Sequence, residues 1–255
     1  MTRKRCLQAA GIVLLGLMLP GVARISMAQG ADPGIDAAVH KALDNKRFGK
    51  VSIGVHDGNV VLTGSVGLYA DKEDAYTRTR HVKGVKGIDN EIEVVSPPIS
   101  DVALRDKLAK ALSYYTVGYG TTMFTSIDVG VQNGVVTLGG TVYWPPDKNS
   151  ALGIVADTPG VKDIVDNIQV APVSEMDDQL RLRLARVIYG TPQLQKYAID
   201  PAKPIRIIVV NGNVTLTGMV DSKADREIAG LRANSVPGVF KVVNDIQVAG
   251  ERPAK

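Results

Sequence analysis

Three glycine frames in this 255-residue chain superpose without a gap. Gly58, Gly134 and Gly212 are each followed six residues later by Gly64, Gly140 and Gly218. Twenty residues beyond those stand Gly84, Gly160 and Gly238, and eight further on Ile92, Ile168 and Ile246. A spacing shared three times without insertion marks an internal repeat, which restricts the architecture more than composition does.

Each frame opens on a turn pair, Asp57-Gly58, Asn133-Gly134 or Asn211-Gly212. Such pairs supply the positive φ values of a two-residue type I′ turn. Apolar residues alternate on both sides of it: Val51, Ile53, Val55 and Val60, Leu62, Val66 in the first copy. The second copy has Ile127, Val129, Val131 and Val136, Leu138, Val142, and the third Ile205, Ile207, Val209 and Val214, Leu216, Val220. Period-two patterning with a more polar opposite face predicts an antiparallel hairpin buried on one side. Gly64, Gly140 and Gly218 fall on the buried face, where a missing side chain admits a neighbouring backbone or helix.

Helices flank each hairpin. Ile35, Val39 and Leu43, then Leu104, Leu108 and Leu112, then Leu180, Leu184 and Ile188 form amphipathic stripes before it. After it, Ala75, Thr79, Val82 are matched by Ala151, Val155, Thr158 and by Ala229, Ala233, Val236, small residues suited to close packing on a sheet. Gly84, Gly160 and Gly238 are read as ending these helices, and a last strand carries Ile88, Ile92 and Val94 or their equivalents. The predicted fold class is α+β: three tandem α-β-β-α-β units, each a three-stranded sheet with two helices packed on one face. The units span 34–95, 101–171 and 177–248, with a polar tail over 249–255.

The N-terminus has the pattern of a secretory signal peptide. Arg3, Lys4 and Arg5 precede an apolar run over 9–22, and Ser26-Met27-Ala28 predicts cleavage after Ala28, so residues 1–28 are set apart from the fold. An uncleaved N-terminal anchor is the other reading. Removal takes away four basic residues and lowers Lys plus Arg from 30 to 26, equal to the 26 Asp plus Glu, so the basic balance is no argument for nucleic acid. It also removes Cys6, the single cysteine. The exported chain then has no thiol for a disulfide or a metal and relies on core packing.

The stretches "DGNVVLTGSV…GVKGIDNEIEV", "NGVVTLGGTV…GVKDIVDNIQV" and "NGNVTLTGMV…GVFKVVNDIQV" resemble the BON domain, the bacterial osmotic-stress and nodulation family. The resemblance implies a periplasmic or envelope-associated binding module without enzymatic activity, in contact with phospholipid surfaces and linked to osmotic or envelope stress. Many members carry two copies, whereas this chain carries three, and its second and third copies hold extra residues.

Those residues lie between the first helix and the first strand. Gly58 follows Leu43 by 15 residues, but Gly134 follows Leu112 by 22 and Gly212 follows Ile188 by 24. The second insertion, "SYYTVGYGTTMFTS", holds Tyr114, Tyr115, Tyr119, Met123 and Phe124. Hairpin geometry places it beside Tyr143 and Trp144, so that six of the twelve aromatics converge opposite the Asn133-Gly134 turn. The cluster reads either as an amphipathic patch for docking lipid or a partner, or as a small core of its own. The third copy is net basic, ten Lys and Arg against seven Asp and Glu, and Arg181, Arg183 and Arg186 are placed on the outer side of its first helix. They read as contacts for anionic headgroups, or as an ordinary solvated face.

No catalytic set is visible. His40, His56 and His81 all belong to the first copy, lack metal-ligand spacing and have no counterparts elsewhere. No nucleophile elbow or phosphate loop is present. Neither a metal nor a cofactor is expected. The sequence therefore reads as a non-enzymatic envelope protein that docks on phospholipid, or alternatively as a protein-binding scaffold or holdase-like periplasmic stress protein.

Overall fold

The computed structural model describes residues 32–117, 121–200 and 203–251. The segment read as a signal peptide, Tyr119 and the end of the tail lie outside the described residues.

The first repeat runs α1 (Pro33–Ala42), β1 (Val51–His56), β2 (Asn59–Val66), α2 (Tyr69–Arg80), β3 (Gly87–Asn90) and β4 (Glu93–Val94). The second runs α3 (Asp101–Tyr114), β5 (Ser126–Gln132), β6 (Val135–Val142), α4 (Pro145–Ala156), β7 (Asp163–Asp166) and β8 (Gln169–Val170). The third runs α5 (Glu175–Tyr189), β9 (Arg206–Val210), β10 (Asn213–Thr217), β11 (Met219–Val220), α6 (Lys223–Asn234), β12 (Lys241–Asn244) and β13 (Gln247–Val248). The class is α+β.

In each repeat the hairpin is antiparallel, and the strands after the second helix pair parallel to its inner strand. The turns have the expected geometry, with φ of +50° and +80° at Asp57 and Gly58 and nearly the same values in the other two. Alternate residues of the inner strand face one core shared by both helices. Val60, Leu62 and Val66 lie under Val39, Leu43 and Ala75 in the first repeat. Leu138 lies under Leu104, Leu108 and Ala151 in the second, and Leu216 under Leu184 and Ala229 in the third.

Two local features differ from the sequence reading. The last strand is broken. After Asn90 the chain leaves the ladder for two residues, and Ile92 drops into the core at 1 % exposure. The Asn90 side chain holds the break by donating to the Lys72 carbonyl at 3.1 Å and accepting from the Ile92 amide at 3.4 Å. Asn244 does the same with Arg226 and Ile246. Asp166, in the second repeat, accepts from the Ile168 amide and pairs with Lys148 at 2.8 Å instead. The glycines Gly84, Gly160 and Gly238 do not cap the helices, which end at Arg80, Ala156 and Asn234 with residues of ordinary helical φ after them. They form the next turn, and their carbonyls sit against the hairpin-turn glycines.

Gly64, at φ +96°, is exposed rather than on the buried face, and a Cβ there would overlap the Lys50 carbonyl oxygen. The neighbour it admits is the backbone at the start of the paired strand, and in the third copy Gly218, at φ +114°, separates β10 from β11.

Candidate functional site

The extra residues of the second repeat do not form a separate core. Phe124 packs against the core of the third repeat. Thr122 and Thr125 offer their carbonyls to Arg206 of β9, which donates to them at 2.9 and 2.6 Å. Ser126 and Thr217 share a hydroxyl–hydroxyl bond of 3.1 Å. Tyr143 donates to the Asp178 carboxylate at 3.0 Å, and Arg181 stacks over its ring at 4.8 Å from the centroid. The insertion and the end of β6 therefore join repeats two and three. Phe124, Tyr143 and Trp144 do converge, with centroids 6.1 Å apart for the first pair and 5.7 Å for the second.

The expected patch divides accordingly. Trp144 and Tyr114 are 53 % and 50 % exposed. Tyr115, Met123, Phe124 and Tyr143 are half-buried. Burial pushes the Tyr115 phenol well above its ordinary range, with the Asp147 carboxylate adding to the shift. Tyr143 shifts the same way, through burial and then its bond to Asp178.

Arg181 is not on the outer side of its helix. It is only 2 % exposed, and its guanidinium donates to the Val209 carbonyl and to Asp178, both at 2.5 Å. Burial among β9 and Tyr143 of the preceding repeat removes it from any headgroup contact, whereas Arg183 and Arg186 remain exposed.

Behind Trp144 lies a cavity of about 430 Å³ lined by Tyr115, Thr116, Thr121, Trp144, Pro146, Asp147 and Ser150. The hydroxyls of Tyr115, Thr116 and Thr121 are buried without a hydrogen-bond partner. The Asp147 carboxyl is raised above its usual range by burial, in part offset by hydrogen bonds from the Trp144 backbone and Thr125.

Sequence reasoning missed several residues. Asp101 and Asp177, each three residues before a core leucine, accept both amides of the following hairpin turn at 2.7 to 3.0 Å. Their matching offset was a usable signal. Arg206 and Asp178 had none, because their partners lie in another repeat. In the third insertion Leu194 and Tyr197 are buried in the repeat's own core, and Tyr197 donates to Asp225 at 2.7 Å.

Among the described residues no helix is long and apolar enough to cross a membrane, and no cluster of His, Cys, Asp and Glu has the makings of a metal site.

A family model described as BON domain matches residues 31–96, 100–172 and 191–250. Osmotically-inducible protein Y of Escherichia coli (strain K12) is 25% identical over 189 residues, 74% of this chain and 92% of that protein. A protein of Anaplasma centrale, described as an uncharacterized protein in the gshII 5'region, is 25% identical over 129 residues, 48% of this chain and 83% of its own length. The solved C-terminal domain of CdsD, the structural protein of the Type III secretion system of Chlamydia trachomatis, is 15% identical at a TM-score of 0.25, over 85% of this chain and 96% of that one. With three tandem matches that together span well over half of its length, the chain belongs to the BON domain family.

Proposed function

We propose that this chain is a non-enzymatic, osmotic-stress-related protein of the bacterial periplasm that docks on phospholipid surfaces through the second repeat. The half-exposed indole of Trp144, left uncovered while Phe124 and Tyr143 are taken into the joint with repeat three, carries the reading. A tryptophan with an apolar body at the surface suits the interfacial layer of a bilayer. Tyr114 adds a second exposed ring, and the exposed Arg183 and Arg186 supply attraction for anionic headgroups. The relationship to an osmotically-inducible protein supports the stress link, and the signal-like segment over 1–28 supports export.

Vesicle flotation with neutral and anionic lipids, read together with Trp144 emission, tests this. Co-flotation with a blue shift, lost in Trp144→Ser and weakened in the double variant Arg183→Gln, Arg186→Gln, is the expected result. Tyr143 is left intact because its hydroxyl joins two repeats. Absence of flotation with every lipid overturns the membrane reading and favours a polypeptide-binding role.

A further inference from the structure

Repeats two and three finish the outer edge of their sheets differently. In each hairpin the residues flanking the two-residue turn, Gln132 with Val135 and Val210 with Asn213, are the first pair of the ladder. Such a pair exchanges both of its hydrogen bonds, so alternate residues along the outer strand pair inward, and those between turn their N–H and C=O groups outward. The outward residues of β5 are Ile127, Val129 and Val131. In repeat three the same places are held by Ile207 and Val209 of β9, and by Ile205 just before it.

Repeat three closes that edge with its own helix. Arg181 donates to the Val209 carbonyl and Tyr189 to the Ile205 carbonyl, each at 2.5 Å. Arg181 stands four residues after Asp177, and Tyr189 nine after Leu180; counted from Asp101 and Leu104, those positions in repeat two are Arg105 and Ser113. Arg105 instead donates to its neighbour Asp106 at 3.1 and 2.8 Å, and Ser113 to the Lys110 carbonyl within its own helix. Among the described residues no strand pairs with the outer edge of β5.

Where repeat three has its cap, repeat two has a groove. A cavity of about 210 Å³ between α3 and β5 has Arg105, Ala109, Leu112, Ser113, Ile127 and Val129 in its lining. It shares Ala109, Ile127, Asp128 and Arg206 with an adjoining cavity of about 590 Å³, which continues along the joint to Thr217 and Gln247 of repeat three.

An open strand edge presents donors and acceptors in alternation at main-chain spacing. Another extended backbone matches that spacing, and a lipid headgroup or a small solute does not. The charges along the groove suit the same occupant. Arg206 and Asp128 line both cavities, and among the described residues neither has an ion-pair partner. A strand with an acidic and a basic residue at its polar positions supplies both partners, while its alternate apolar residues lie beside Ile127, Val129 and Leu112.

We propose that the groove between α3 and β5 accepts an extended segment of another polypeptide by strand addition. The site is separate from the exposed Trp144 ring and does not rest on the membrane reading.

A short fluorescein-labelled peptide that alternates valine with threonine, glutamate and lysine is titrated into the full chain by anisotropy. Its contrast is the same sequence with the central residues N-methylated, which keeps every side chain and removes backbone donors. Saturable binding at a Kd of about 100 μM or tighter is expected for the first, and binding about tenfold weaker or more for the second. Amide exchange at Ile127, Val129 and Val131 should slow with the peptide bound, and exchange at Ile207 and Val209 should not. Val129→Pro removes an outward N–H that the β5–β6 ladder does not use, a change that an edge strand tolerates, and should weaken the peptide about tenfold. Ala109→Arg, at an exposed helix position in the lining of both cavities, should do the same and keeps the test open if the proline variant fails to fold. No saturable binding overturns the proposal. So does equal binding of the N-methylated peptide, unchanged exchange at the three β5 amides, or an affinity untouched by Ala109→Arg. Flotation is scored separately: a chain that binds the peptide but no vesicle overturns the membrane reading alone.

Discussion

Arg206 of the third repeat donates to the main-chain carbonyl of Thr125 in the second across 2.6 Å, spanning 81 residues of sequence. The same guanidinium reaches Thr122, and among the described residues no carboxylate lies within ion-pairing distance of it. Burial lowers its pKa, but an arginine stays charged. Arg206→Met keeps an unbranched apolar stem and removes both bonds. It should cost about 2 kcal/mol, with two carbonyls left unpaired. Calorimetry checks this: a shared transition of repeats two and three should separate into two.

The positive-φ glycines of the hairpins can be told apart from the permissive ones. Gly140 sits at φ +94°, and a Cβ there would overlap the Ser126 carbonyl oxygen. Gly140→Ala should cost about 2 kcal/mol or more through backbone strain alone, before the overlap is counted. Gly153, exposed on α4, has nothing within 4 Å of its missing Cβ, so Gly153→Ala should stabilise by about 0.5–1 kcal/mol. Urea midpoints of the two variants should move in opposite directions.

Asp177 is 3 % exposed and accepts from both Asn211 and Gly212 amides, at 2.8 and 2.9 Å. Asp177→Ala strands two turn amides and should destabilise by about 2–3 kcal/mol. Amide exchange at Asn211 and Gly212 should accelerate well before the rest of the hairpin responds.

Two carboxylates give opposite acid responses. Burial alone would raise Asp225, but hydrogen bonds from Tyr197, Lys196 and Ser222 and the Lys196 charge outweigh it, and its pKa lies below the usual range. Its stabilising contribution is therefore present above the ordinary aspartate value, about 3.9, and fades as pH falls through the lower folded value. Asp147 is raised by burial, so its ionisation opposes folding and acidification through its folded pKa relieves the cost. Melting temperature against pH should lose part of its acid-side slope in Asp225→Asn, whereas Asp147→Asn should raise the melting temperature at neutral pH.

The hairpins were legible because their information is local. Asn-Gly or Asp-Gly set the turn, period two set the face, and the strands beginning at Val51 and Ser126 fall where the alternating valines and isoleucines place them. Leu180, Leu184 and Ile188 were readable as a stripe and are all buried. Arg181 was not, since no helical periodicity buries an arginine next to that stripe. Its cover comes from Val209 and from Tyr143 of another repeat. The aromatic insertion posed the same difficulty. Composition brought Phe124, Tyr143 and Trp144 together, but only long-range packing decides which rings close a joint and which remain at the surface.

The joint also sets an order of events. The chain emerges N-terminus first, and domains form as their last residues appear. The first repeat holds all its own strands once Val94 has emerged. The second can close its sheet at Val170, yet the Thr122 and Thr125 carbonyls stay without their donor until Arg206 is made. For that interval Phe124 is also without the core it leans on. The aromatic segment is therefore the last part of the second repeat to be sealed, and a chain cut between the two repeats would leave that segment the adhesive end of an otherwise finished protein.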